Sequence, residues 1–96
     1  MNRVLITGAN RGLGFELVHQ FAGRGDRVFA GCRSPEKTLA LEAVVENNPG
    51  QVTILPLDVT NQLSVEKSVE LVEAEVDALD VLINNAAIHL GDESLS

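Results

Sequence analysis

The chain has 96 residues, 45% of them hydrophobic, and a formal net charge of −7. That length holds at most one small domain, and that apolar content supports a core and argues against disorder. No apolar run nears the roughly 18 residues a membrane span needs, the single Cys32 cannot close an internal disulfide, and an acidic chain without a basic stripe is a poor match to nucleic acid.

Met1-Asn2-Arg3 leads straight into a strand and is no signal peptide, so with one cysteine a reducing cytoplasm is the expected compartment. Arg3 to Ile6 reads as a short buried strand. It runs into Thr7-Gly8-Ala9-Asn10-Arg11-Gly12-Leu13-Gly14, the most telling stretch of the chain. Three glycines at a strand-to-helix junction let the backbone turn sharply and leave amide N–H groups uncovered at a helix start. Those donors and the positive end of the helix dipole point the same way, so the turn suits a phosphate anion. A dinucleotide pyrophosphate is the usual guest of strand, glycine turn and helix in that order. Leu17, Val18, Phe21 and Ala22 then fall at helical spacing, and Gly23-Arg24-Gly25 ends that helix.

Arg27 to Cys32 reads as a second strand. Ser34 with Pro35 predicts an N-cap followed by Pro at the first helical position, Leu41, Val44 and Val45 give that helix its apolar face, and Asn47-Asn48-Pro49-Gly50 stops it. A third strand covers Val52 to Leu55 and should end near Pro56, which cannot donate to a ladder. Asp58-Val59-Thr60 leads into a third helix, with Thr60 better placed than Asp58 to cap it. Val65, Val69, Val72 and Val76 form its narrow apolar stripe, and Glu66, Glu70, Glu73, Glu75 and Asp77 its solvated faces. Asp80 to Ile83 reads as a fourth strand, closed by Asn84-Asn85-Ala86-Ala87, and residues 88–96 show no periodicity. The order β-α-β-α-β-α-β predicts an α/β domain over residues 1–96, a parallel sheet with right-handed crossovers and helices on both faces. Charge is uneven: residues 1–33 hold five basic and two acidic residues, the remainder two basic and twelve acidic. A phosphate-bearing ligand should therefore prefer the N-terminal part.

These residues resemble the short-chain dehydrogenase/reductase family. Its T-G-x-x-x-G-x-G fingerprint fits Thr7, Gly8, Gly12 and Gly14, and two further marks follow the third and fourth strands, Asp58-Val59 and Asn84-Asn85-Ala86. A lone glycine motif is weak; three marks, each after its own strand, are specific. The likeness runs from Arg3 to Ile88, and the glycine segment looks like that of carbonyl-reductase and small cell-signalling-factor-like members. It implies the N-terminal half of a Rossmann fold and a nicotinamide dinucleotide partner. By position, Asn10, Arg11, Gly12 and Leu13 would hold the pyrophosphate, with Gly8 in the turn and Gly14 packing the helix on the sheet. Asp58 would accept from the adenine amino group, the Val59 amide would donate to the ring, and Asn85 and Ala86 would flank the adenosine ribose. Asn84-Asn85 also resembles the family's sheet-stabilising pair. Ala87 departs from the family, which usually has Gly there.

An NAD-preferring fold places an acid at the end of its second strand. Here that site falls at Gly31-Cys32-Arg33, and Arg11 in the glycine loop faces the same region. Two guanidiniums suit a ribose 2′-phosphate, so NADP(H) is expected over NAD(H). The family's proton donor is a Tyr in a Tyr-x-x-x-Lys pair, assisted by a Ser. The 96 residues contain no Tyr, so no catalytic residue is assigned. His19 and His89 lack partners at metal-ligand or triad spacing, so no metal is expected, and Cys32 reads as a packed residue. The chain then reads as the cofactor-binding part of an NADP(H)-dependent oxidoreductase acting on a carbonyl or alcohol, truncated before its catalytic segment and inactive alone. The alternative is a non-catalytic nucleotide-binding fragment acting through assembly. With β-neighbours missing, the apolar Val81-Leu82-Ile83 edge invites self-association into a homo-oligomer or marginal stability.

Overall fold

The computed structural model describes residues 1–10, 12–34 and 38–85. Strand β1 (Arg3–Ile6) leads to α1 (Gly12–Gly23), β2 (Arg27–Cys32), α2 (Leu39–Asn47), β3 (Val52–Pro56), α3 (Gln62–Glu73) and β4 (Val81–Ile83). The strands form one sheet in the order β3-β2-β1-β4. Every pairing is parallel, with Leu5 opposite Phe29 on one side and Leu82 on the other. The α/β alternation is as the sequence predicts.

Alternate residues of a strand face opposite sides of a sheet, and this divides the core in two. Val4, Ile6, Val28 and Ala30 point one way and bury Val18 and Ala22 of α1 with Leu41 and Val44 of α2. Leu5, Phe29 and Leu55 point the other way and meet Val72 of α3. The second layer is the thinner. Of the predicted α3 stripe only Val72 is buried, while Val69 is 47% and Leu82 of β4 63% exposed. A cleft of about 230 Å³ opens there between Leu5, Val69, Val76 and Leu79. Two strands thus form edges among the described residues, and β4 is half-covered where the apolar run suggested a buried strand.

Helix α1 ends in a Schellman turn. The Asp26 N–H reaches the Phe21 carbonyl at 3.1 Å and the Gly25 N–H the Ala22 carbonyl at 3.0 Å. Gly25 sits at φ +89°, where a side chain would be strained. The described part of the second helix starts at Leu39, with buried Thr38 in its N-cap position, and the expected start at Pro35 lies outside the described residues. Short helices are held by packing, and the apolar residues this one buries, Leu41 and Val44, lie past that start. Residues 35–37 are outside the described set.

The N-terminal ends of the strands hold most of the arginines. Arg3 grips Asp80 through Nε (3.0 Å) and Nη2 (3.3 Å), and its N–H donates to the same carboxylate at 2.7 Å. Arg27 donates to Thr53 Oγ1 (2.8 Å) and to Glu75, and lies 4.3 Å from the Phe29 ring centroid. Arg24 stands 3.7 Å from buried Asp26. Three of the five N-terminal basic residues therefore sit opposite the glycine turn, which corrects the charge argument from composition. Charge summed along a sequence does not record which end of a sheet each residue reaches.

Two outcomes are expected. Phe29 is fully buried in the thinner layer, so Phe29→Ala should remove about 3–5 kcal/mol, read as a lower urea midpoint. The hydrogen bonds from Arg3 hold the Asp80 carboxyl below its ordinary value. A depressed carboxylate stabilises the fold fully above its unfolded pKa of about 3.9, and the contribution is lost as pH falls through the lower folded value. Wild-type stability should therefore fall more steeply with acid below about pH 4 than that of Asp80→Asn.

Candidate functional site

The chain leaves β1, builds β2 and β3 to one side, then crosses to place β4 on the other. The order reverses at β1, and the region beyond the strand ends at such a reversal is the usual ligand position in such sheets. The glycine turn leaves β1 into that region. It is held from both flanks: the Thr7 N–H donates to the Ile83 carbonyl at 3.0 Å, and the Ala9 N–H to the Gly31 carbonyl at 2.9 Å. The Thr7 hydroxyl donates to Asn84 Oδ1 at 3.1 Å, and the Asn85 amide donates to the Gly8 carbonyl at 3.1 Å. The pair after β4 therefore binds the turn after β1.

Gly8 and Gly12 adopt φ of +61° and +58°, the left-handed region that favours glycine. Gly14 is required for a different reason. A Cβ there would lie 2.2 Å from the Gly8 carbonyl oxygen and 2.9 Å from Asn85 Nδ2, so α1 packs against the turn only without a side chain. The first-turn N–H groups of α1, from Gly12 on, have no intrahelical partner. No acid occupies that turn to repel an anion. Asn10 and Leu13 are exposed at its rim, and Arg11 lies outside the described residues.

At the end of β2, Gly31 lies beneath buried Leu57: a Cβ would come within 2.8 Å of Leu57 Cδ2. The Leu57 N–H donates to the Cys32 carbonyl at 2.8 Å, which carries the chain past Pro56. Cys32 is buried, as read from the sequence, and Arg33 follows it into solvent.

At the end of β3, Asp58 is half-buried. Its Oδ1 accepts from the Thr60 hydroxyl (2.6 Å) and N–H (2.9 Å). These bonds hold the carboxyl below its ordinary value, and the charge of Arg33 acts in the same direction, so the guanidinium is within electrostatic reach. The carboxylate stays ionised and acceptor-only. Thr60 is thereby committed to Asp58, and Asn61 caps α3 instead, accepting from the Ser64 N–H at 3.0 Å. Ser64 in turn accepts the Asp58 N–H at 2.9 Å. Leu57 and Ser64 are site-building residues that motif reading passed over, because their signal is spatial proximity alone, and the same proximity gives Gly31, placed by sequence at the cofactor-selecting end of β2, its need to lack a side chain. Val59 stands beside Asp58, half-buried.

The structure thus gathers Gly8, Asn10, Gly12, Leu13, Gly14, Arg33, Asp58, Val59 and Asn85 along the C-terminal ends of four parallel strands. Ala86 and Ala87, like Arg11, are outside the described residues. Among the described residues no group of three metal-ligating side chains occurs, and no helix is long and apolar enough to cross a membrane.

The pattern of the short chain dehydrogenase family matches residues 2–95. Retinol dehydrogenase 12 from Homo sapiens is 39% identical over 87 residues, covering 88% of this chain and 28% of the relative. Fatty acyl-CoA reductase from Acinetobacter baylyi is 35% identical over 82 residues, covering 85% and 28%. This chain thus spans under a third of the length of either relative. A carbonyl reductase from Pseudomonas aeruginosa superposes with a TM-score of 0.78 at 32% identity, covering 85% of this chain and 35% of that one. A second structure of that reductase, in complex with NADP, gives 0.71 at 34% identity, covering 74% and 31%. A family match over nearly every residue, with the glycine turn, Asp58 and the Asn84-Asn85 pair each in place, shows that the chain belongs to the short-chain dehydrogenase/reductase family and forms the N-terminal half of its Rossmann fold.

Proposed function

We propose that this chain is the cofactor-binding part of an NADP(H)-dependent oxidoreductase that exchanges hydride with a carbonyl or alcohol substrate. The observation that carries the reading is the glycine turn held between β2 and β4, with Gly8 and Gly12 at positive φ and bare N–H groups at the start of α1. Because the turn is fixed before a ligand arrives, its donors need no reorganisation to meet a diphosphate. The N–H groups around Asn10, Arg11, Gly12 and Leu13 bind the pyrophosphate, reinforced by the dipole of α1. Asp58, held ionised by Thr60, accepts from the adenine amino group, and the Val59 N–H donates to the ring. Ala86, by its place in the family pattern, would flank the ribose. When bound, the nicotinamide supplies or takes the hydride.

Arg33 favours the phosphorylated cofactor. An acid at the end of β2 would accept from both ribose hydroxyls; the chain has Arg33 there and none of its first-turn residues on α1 is acidic. A guanidinium suits a 2′-phosphate through charge-assisted, two-pronged hydrogen bonds. Arg11 adds a second cation by its place in the turn. The NADP bound to the related carbonyl reductase supports this choice.

Calorimetry of the wild-type chain should show tighter binding of NADP(H) than of NAD(H). Arg33→Ala should weaken NADP(H) by roughly 10–100-fold, the worth of a partly solvated charge-assisted contact, and leave NAD(H) unchanged. Equal loss for both cofactors, or none, would overturn the assignment. With no Tyr among its 96 residues, the chain alone should not oxidise NADPH in the presence of a panel of ketones and aldehydes. Sustained turnover there would contradict the reading.

A further inference from the structure

Strand β3 ends at Pro56, which has no N–H to give. Two hydroxyls of α3 gather around that point. Buried Ser68 donates to the Pro56 carbonyl at 3.2 Å, and Ser64, one turn earlier, stands 3.4 Å from the same oxygen. Ser64 Oγ also accepts the Asp58 N–H at 2.9 Å. The next peptide is fixed as well: the Asp58 carbonyl accepts from the Asn61 N–H at 3.0 Å. The C=O and N–H of a planar trans peptide point in opposite directions, so this bond turns the Val59 N–H away from the start of α3. With the peptides on both sides of its Cα fixed, Asp58 has one direction for its side chain, and Thr60 then holds the carboxylate through Oδ1. The bonds to Thr60 and Asn61 close within the loop and move with it. The bond to Ser64 ties the loop to the body of α3, which Val72 and Ser68 fasten to the sheet.

We infer that Ser64 is a positioning residue for base recognition: by holding the Asp58 N–H, its hydroxyl aims the Asp58 carboxylate and the Val59 N–H at the base and so sets a preference for an amino-bearing purine over an oxo-bearing one. The two groups read one edge of the ring. A carboxylate only accepts and an N–H only donates, so the pair matches adenine, whose amino group donates and whose neighbouring ring nitrogen accepts. It mismatches hypoxanthine, whose carbonyl accepts and whose ring N–H donates. Discrimination of this kind depends on both groups standing where the correct base needs them. Alanine at position 64 offers no acceptor, so the N–H of half-buried Asp58 loses its bond and the peptide turns to find water. That turn re-aims the carboxylate. Ser64 acts only through Asp58, and the glycine turn after β1, where the diphosphate binds, does not depend on it.

This inference rests on the dinucleotide reading and is separated from it by a pair of ligands. NADP⁺ and its hypoxanthine analogue share the 2′-phosphate, the diphosphate and the nicotinamide and differ only in the base. Both are titrated into the wild-type chain, Ser64→Ala, Ser64→Thr and Ser68→Ala. The wild-type chain should favour NADP⁺. Ser64→Ala should cut that preference roughly tenfold, as the loss of one positioning hydrogen bond allows, by weakening NADP⁺ and leaving the analogue nearly unchanged. Ser64→Thr keeps the hydroxyl and should restore the preference. Ser68→Ala loses only the bond to Pro56 and should retain the preference while unfolding at lower urea. Equal weakening of both ligands by Ser64→Ala marks a purely structural role and overturns the inference. So does an unchanged preference, an equal fall in Ser68→Ala, no rescue by Ser64→Thr, or failure of Ser64→Ala to fold, which would place the hydroxyl in the stability of α3. A wild-type chain that binds both ligands alike would overturn base reading by Asp58 and Val59, and this inference with it. A wild-type chain that binds neither would instead overturn the dinucleotide reading itself.

Discussion

The Gly8–Ala9 peptide is the point on which the described structure converges. Its carbonyl is bound by Asn85 and its N–H by the Gly31 carbonyl. Those partners stand on the two strands that flank β1. A left-handed glycine between two such anchors cannot relax without breaking one of them. A free turn at this place would visit many conformations, and ordering it on binding would cost affinity. The sheet fixes the turn in advance, so a ligand bound there would not meet that cost.

The demand for small residues follows from the same convergence. Gly14 is bare because the Gly8 carbonyl and Asn85 occupy the place of a side chain. Gly31 is bare because Leu57 lies over it, and the Leu57 N–H closes the strand end on Cys32. These two glycines answer to close approach, whereas Gly8 and Gly12 answer to backbone conformation. The opposite end of the sheet is fastened by charge instead. There Arg3 with Asp80 ties the starts of β1 and β4, and Arg27 ties the start of β2 to Glu75 just past α3, leaving Arg33 at the end of the sheet where the glycine turn lies.

Much of this was legible in the sequence because local rules govern it. Alternating apolar runs and helical stripes placed four strands and three helices, and the spacing of Gly8, Gly12 and Gly14 placed the turn. What local rules missed depends on distant partners. Thr60 is better placed along the chain than Asp58 to cap α3, yet Asp58 claims it and Asn61 takes the position. The α3 stripe has a helical period, but Val65 and Val69 find little sheet to cover. The arginines of residues 1–33 look like one basic region until topology sends Arg3, Arg24 and Arg27 to the far end. Gly31 and Leu57 carry no motif, since only tertiary contact joins them.

The register of β1 also bears on time. Its first-made neighbour β2 begins 24 residues later, as Arg3 faces Arg27, whereas β4 brings Val81 to Val4 across most of the chain. Long closures are slow compared with local ones. Synthesis runs from the N-terminus, so the phosphate turn is among the earliest segments to emerge, and Ile83, Asn84 and Asn85, which secure it, are among the last of the described residues. The anchors from β4 are therefore available to the turn only once the chain has been made through Asn85.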